Sequence, residues 1–186
     1  MWDVETTLLP YRSGEARRLL VKCRMVATIV CVALVAAGCA ATSLKTYKPK
    51  TDDETQVVST LMRIPKGVDI KSAQAMMLPY ADDVYIGNFQ KYLGVAAPGA
   101  DTRISKAELT QAYVQLFKSV KEISMDISDF RLTVQGDRAV AEGRAEIRYT
   151  IEVGRKETRD QYIRNDVLWR LKRTPLGWKI VEEIYQ

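Results

Sequence analysis

At Lys121 the hydrophobic period of this chain changes from helical spacing to alternation, and the alternation runs on to the C-terminus. That change most restricts the fold. Consecutive alternating segments with short turns form antiparallel hairpins, and a half-apolar sheet needs a second layer over one face. Lys121 to Val134 reads as a strand with a bulge near Asp129. The apolar positions there move from odd numbers (Ile123, Met125, Ile127) to even ones (Phe130, Leu132, Val134). Gly136-Asp137 is a turn. Arg138 to Val153, Tyr162 to Lys172 and Trp178 to Tyr185 read as three more strands, with turns at Gly154 to Thr158 and Arg173 to Gly177.

Helices come before the sheet. Ser105-Lys-Ala-Glu108 has the capping-box pattern. Leu109, Ala112, Tyr113, Leu116, Phe117 and Val120 then share one helical face. Aromatics at this spacing indicate core packing before they indicate a ligand site. Upstream, Thr51-Asp-Asp-Glu54 caps a first helix that should end at Pro65, and a second should run from Asp69 to Leu78. Val84 to Phe89 reads as a strand, and Gly94 to Thr102 as a turn-rich loop. The expected fold class is α+β, with helices packed on a curved, mostly antiparallel sheet.

DDVYIG, the capped helix, the long hairpins and VLWRLKRTPLGWKIVEE together resemble the nuclear transport factor 2-like superfamily, including its SnoaL-like branch, from about Thr51 to Gln186. The resemblance implies a cone of helices and bent sheet with a pocket in its mouth. That fold carries isomerases, dehydratases, hydrolases and plain binding or assembly modules, so it implies no single activity.

The N-terminal part is of another kind. Arg24 and Lys45 bracket an uncharged run, Met25 to Leu44, behind a basic segment. Its strongly apolar part, Met25 to Ala37, has the length of a signal-peptide core and is short for a membrane span. Ala36-Ala-Gly-Cys39 looks like a bacterial lipobox, with alanine where leucine is preferred. On this reading 1–38 is a lipoprotein signal peptide, Cys39 carries lipid, 39–50 is a tether and 51–186 is the folded domain. The protein would then sit lipid-anchored in a bacterial envelope. With Ala40 after Cys39, the outer membrane facing the periplasm is favoured. The same run would serve a bitopic membrane anchor, as in a subunit of an envelope secretion assembly, or less readily a core helix.

Chemistry is restricted by what is missing. The sequence has no histidine, and its three cysteines, Cys23, Cys31 and Cys39, all precede Ala40. Histidine-dependent nucleophilic and dehydratase sites are excluded, and so is a disulfide or a cysteine–histidine metal site in the domain. The residues call for no metal or cofactor. A net charge of +5 with alternating signs along the strands gives no basic stripe for nucleic acid. Partners are the membrane and either a protein or a small ligand. A binding module is favoured over an enzyme, the alternative being isomerase- or dehydratase-type chemistry in the cone.

Pocket candidates follow from the last hairpin. Val167, Trp169 and Leu171 share one face, and Trp178, Ile180 and Ile184 share another. Pairing 171 with 178, 169 with 180 and 167 with 182 brings both sets together. It also carries Glu182 to the apolar face, with Asn165 diagonally in reach. Trp169 and Trp178 would be walls, and Tyr149 and Tyr85 further wall residues. A carboxylate there must be hydrogen-bonded, paired or wet. With Asn165 as its donor Glu182 is structural; without one it is a candidate general base or ligand grip.

Overall fold

A computed structural model describes residues 42–89, 103–153 and 157–186. The signal-peptide and lipidation readings, 1–38 and Cys39, lie outside the described residues, as do the whole Gly94 to Thr102 loop and part of the Gly154 to Thr158 turn. The elements are α1 (Asp52–Leu61), α2 (Arg63–Asp69), α3 (Ala73–Met77), β1 (Tyr80–Gly87), α4 (Lys106–Ser119), β2 (Val120–Gln135), β3 (Arg138–Glu152), β4 (Thr158–Thr174) and β5 (Gly177–Tyr185). The five strands form one curved sheet in the order β1-β5-β4-β3-β2. Every neighbouring pair is antiparallel except β1 with β5. α1 touches β2 and β5, α2 touches β2, and α4 touches β1 and β2, so the helices cover one sheet face. The α+β class expected from the periodicity is the class observed.

Local signals explain most boundaries. Ser105 Oγ accepts from Glu108 N while the Glu108 carboxylate accepts from Ser105 N, the reciprocal pair that starts α4. Thr51 caps α1 in the same position. Pro65 does not end the first helix. The break falls at Met62, and Pro65 sits in the first turn of α2, where an amide has no intrahelical partner to lose. Ser72, not Asp69, caps α3, accepting from Ala75 N at 3.2 Å. Asp69 reaches instead across to Met125 N on β2, at 3.4 Å. β1 begins at Tyr80, ahead of the expected Val84.

The bulge in β2 is present. The β2–β3 register shifts between Ser128 and Arg131, and Asp129 takes φ of 52°. Arg144 holds the bulge by pairing with both Asp129 (2.5 Å) and Asp166 (2.7 Å). β2 is the sheet edge, and the segment before α1 closes it. Leu44 N donates to Ile127 O at 2.8 Å, and Phe130 N donates to Thr42 O at 2.7 Å. Leu44 is buried, and Tyr47 meets the Phe130 ring edge-on at 5.1 Å. Residues 42–50, expected as tether, are therefore part of the fold. The cause is the edge itself, whose backbone groups need partners.

In the last hairpin, Thr174 pairs with Gly177 around a two-residue loop, Pro175-Leu176. Gly177 has φ of +96°, a conformation L side chains avoid. Leu171 pairs with Ile180, but Arg170 pairs with Glu182, leaving Val181 as an extra residue. This bulge decides which acidic side chain enters the core.

Candidate functional site

The bulge at Val181 inverts the inward set of β5. Trp178 and Ile180 point inward before it; Glu183 and Tyr185 point inward after it. Glu182 therefore lies on the outer face, ion-paired with Arg170 directly across the hairpin. The assignment of Glu182 to the cone interior fails, because an even alternation was carried through a strand that contains an extra residue. Tyr85 fails for the same reason at one remove. It stands opposite Glu182 in the parallel β1–β5 pair and shares its face, with the Arg103 guanidinium 5.2 Å from its ring centroid.

The other candidates do face inward. Asn165 is half-buried opposite Ala145, but the sheet separates it from Glu182. Trp169 is buried and donates from Nε1 to Glu183 Oε2 at 2.8 Å. Trp178 is buried, its Nε1 has no acceptor among the described residues, and the Arg173 guanidinium lies 5.1 Å from its ring centroid. Arg173 also pairs with Asp53 of α1. Tyr149 lines a cavity.

Glu183 is the residue that sequence reasoning missed. It is only 2 % exposed. Three donors converge on its carboxyl group: Tyr80 Oη and Trp169 Nε1 on Oε2, and Tyr185 Oη on Oε1. Register places each of them. Trp169 is its direct partner on β4, Tyr185 is two residues on along the same face, and Tyr80 opens the neighbouring strand β1. Burial pushes the Glu183 carboxyl above the usual carboxylate range, while the three hydrogen bonds oppose the shift. One signal was available: in a strand containing Glu182-Glu183, either phase of alternation turns one glutamate inward.

A cavity of about 180 Å³ opens between α4 and the inner face of β3 and β4. Phe89, Ala112, Tyr113, Leu116, Ile147, Tyr149 and Ile163 line it, and none of the seven is charged. The Phe89 ring on the cavity wall is 5.9 Å from that of Tyr185, whose hydroxyl donates to Glu183. Helix periodicity brought Ala112, Tyr113 and Leu116 to this wall, and strand alternation brought Ile147 and Tyr149.

No protein-family model matches the chain, and no curated protein does. Solved structures do. A protein from Kribbella flavida is 15% identical with a TM-score of 0.60, covering 72% of this chain and 89% of its own. An NTF2-like protein with a cystatin-like fold from Novosphingobium aromaticivorans is 18% identical with a TM-score of 0.51, covering 72% and 80%. The fold is nuclear transport factor 2-like. A putative scytalone dehydratase from Novosphingobium aromaticivorans also shares it, at 8% identity and a TM-score of 0.57, covering 71% of this chain and 81% of its own. At these identities the likeness concerns the nuclear transport factor 2-like fold alone.

Proposed function

We propose that this protein binds a small apolar ligand in the cleft between α4 and the sheet, while anchored to a bacterial envelope membrane through Cys39. The observation that carries the binding reading is the composition of the cavity wall, which has three aromatic rings, four aliphatic side chains and no charge. An apolar cavity of roughly 150 Å³ is enough for one benzene-sized molecule. The ligand class is therefore a single ring or a short acyl chain, oriented by the Tyr113 or Tyr149 hydroxyl. Binding is favoured over catalysis because the buried carboxylate, Glu183, is already bonded to three donors.

An isomerase- or dehydratase-type reaction is the second reading. It is favoured by the contacts that link the cavity wall to the buried carboxyl group, Phe89 to Tyr185 and Tyr185 to Glu183. Tyr185→Phe separates the two readings: it should abolish turnover in an enzyme and leave apolar binding in a carrier.

Titration of the protein with phenol and with hexanoate tests the cavity. Ala112→Phe fills it from α4 and should weaken binding about tenfold, the equivalent of roughly 1.4 kcal/mol of displaced contact. Equal affinity in the variant, or no uptake of either probe, would dismiss the cavity as a binding site. Anchoring is supported by the basic segment, the short apolar run and the small residues before Cys39. Intact mass of native membrane-extracted protein should show a chain starting at Cys39 and carrying diacylglyceryl. A lipid-free chain that retains Met25 would replace the lipoprotein reading with a bitopic anchor.

A further inference from the structure

We infer that the hairpin-tip end of the sheet is the membrane-facing surface of this protein, with Leu176 among the headgroups of an anionic phospholipid bilayer and Arg138 and Lys172 against their phosphates. The inference rests on the proposed anchoring upstream of Thr42, whether through lipid or through a span.

Leu176 is 88 % exposed at the tip of the β4–β5 hairpin, the greatest exposure of any large apolar side chain among the described residues. A lone exposed leucine is ordinary on a surface. Its surroundings are less so. Arg138 stands opposite Lys172, and Lys172 opposite Lys179, so three cations cross three strands in one row. Like charges in direct cross-strand positions repel, and an anion over the row relieves that. Lys179 Nζ turns away to Leu78 O at 2.6 Å, and Arg173 pairs with Asp53. Arg138 and Lys172 have no ion-pair partner among the described residues, and Asp137 is the acid of the adjoining turn. Both hairpin tips lie at one end of the sheet, joined by Arg173 N donating to Asp137 O at 2.8 Å.

The chain direction at Thr42 supplies the independent argument. Thr42 is bonded to Phe130 and Leu44 to Ile127, so this segment runs antiparallel to β2. Followed backward from Leu44 to Thr42, it heads toward Gly136-Asp137, the same end as Leu176. Only Ala40 and Ala41 separate Cys39 from Thr42. The three steps from Thr42 to Cys39 reach at most about 10 Å when extended. A membrane anchor at or before Cys39 therefore holds this end of the sheet close to the bilayer. Each basic side chain near an anionic surface strengthens binding roughly fivefold.

Amide hydrogen exchange on the full-length protein reconstituted in vesicles tests this. One set contains phosphatidylglycerol and phosphatidylethanolamine, one part to two; the other contains phosphatidylcholine alone. Segments 135–139 and 173–178 should exchange about 25-fold more slowly in the anionic set, the product of roughly fivefold for each of the two unpaired cations meeting the surface. Arg138→Gln combined with Lys172→Gln and Leu176→Ser, all exposed positions, should erase the difference while the thermal melt stays cooperative. Equal exchange of the native protein in both sets, or a difference that survives in the variant, overturns the inference. Equal slowing by inorganic phosphate in uncharged detergent also overturns it, because a free anion would then suffice. Intact mass of the same sample separates the two levels. An anchored protein with no exchange difference refutes the orientation alone, and a chain with neither lipid nor leader refutes the anchoring.

Discussion

Glu183→Leu should lower the unfolding free energy by about 3–5 kcal/mol, measured by denaturant titration, because it takes the acceptor from three buried donors at once. Tyr80 Oη, Trp169 Nε1 and Tyr185 Oη all aim at that carboxyl group from inside the core. The variant has about the right volume, so the loss measures hydrogen bonding and not a cavity. Adding Tyr80→Phe and Tyr185→Phe should recover part of the loss, since removing both members of a buried polar pair costs less than removing one. If Glu183→Leu is neutral, the cluster is not holding the fold.

The same carboxyl group gives stability a pH slope. Its folded pKa is raised above the unfolded value of about 4.5, so the folded protein keeps the proton where the unfolded chain has lost it. The group's contribution to stability is therefore greatest below that unfolded value and declines as pH rises through the folded one. Glu183→Gln keeps an acceptor and cannot ionise, so this decline should vanish from its stability curve. An unchanged slope would assign the pH dependence to other groups.

Gly67→Ala should destabilise the protein by up to about 2 kcal/mol net, against the sign that helix propensity gives. Alanine in a helix interior is favoured over glycine by roughly 1 kcal/mol. Here a methyl group at position 67 would come within 2.4 Å of Met76 N and 2.5 Å of Met76 Cα. Those are backbone atoms of α3, so relief requires the α2–α3 pair to move apart, an overpacking cost of about 1–3 kcal/mol or more. α2 also packs on β2, so the movement disturbs the sheet contact as well. A rise in melting temperature for Gly67→Ala would show that the two helices separate freely.

The sequence by itself determined the layers. Alternation from Lys121 onward and a helical stripe from Leu109 to Val120 specify helices on an antiparallel sheet, because each element has one apolar face to cover. It also specified the β2 bulge, since the shift from Ile127 to Phe130 moves a whole apolar set by one residue and leaves a visible mark. Trp169, Trp178 and Asn165 were placed on the inner face by the same alternation. The second bulge left no such mark. Around Val181 the run Ile180-Val-Glu-Glu-Ile184 is apolar or acidic in either phase, so the strand alone cannot show which glutamate is inward. The tertiary structure decided it through partners distant in sequence: Trp169 on β4 and Tyr80 on β1 offer donors to Glu183, while Arg170 on the outer face offers a charge to Glu182. The parallel β1–β5 pairing, which sent Tyr85 outward, is likewise a long-range choice. So is the docking of residues 42–50 on the β2 edge, because unpaired backbone groups have no side-chain signature and show themselves only when the sheet exists.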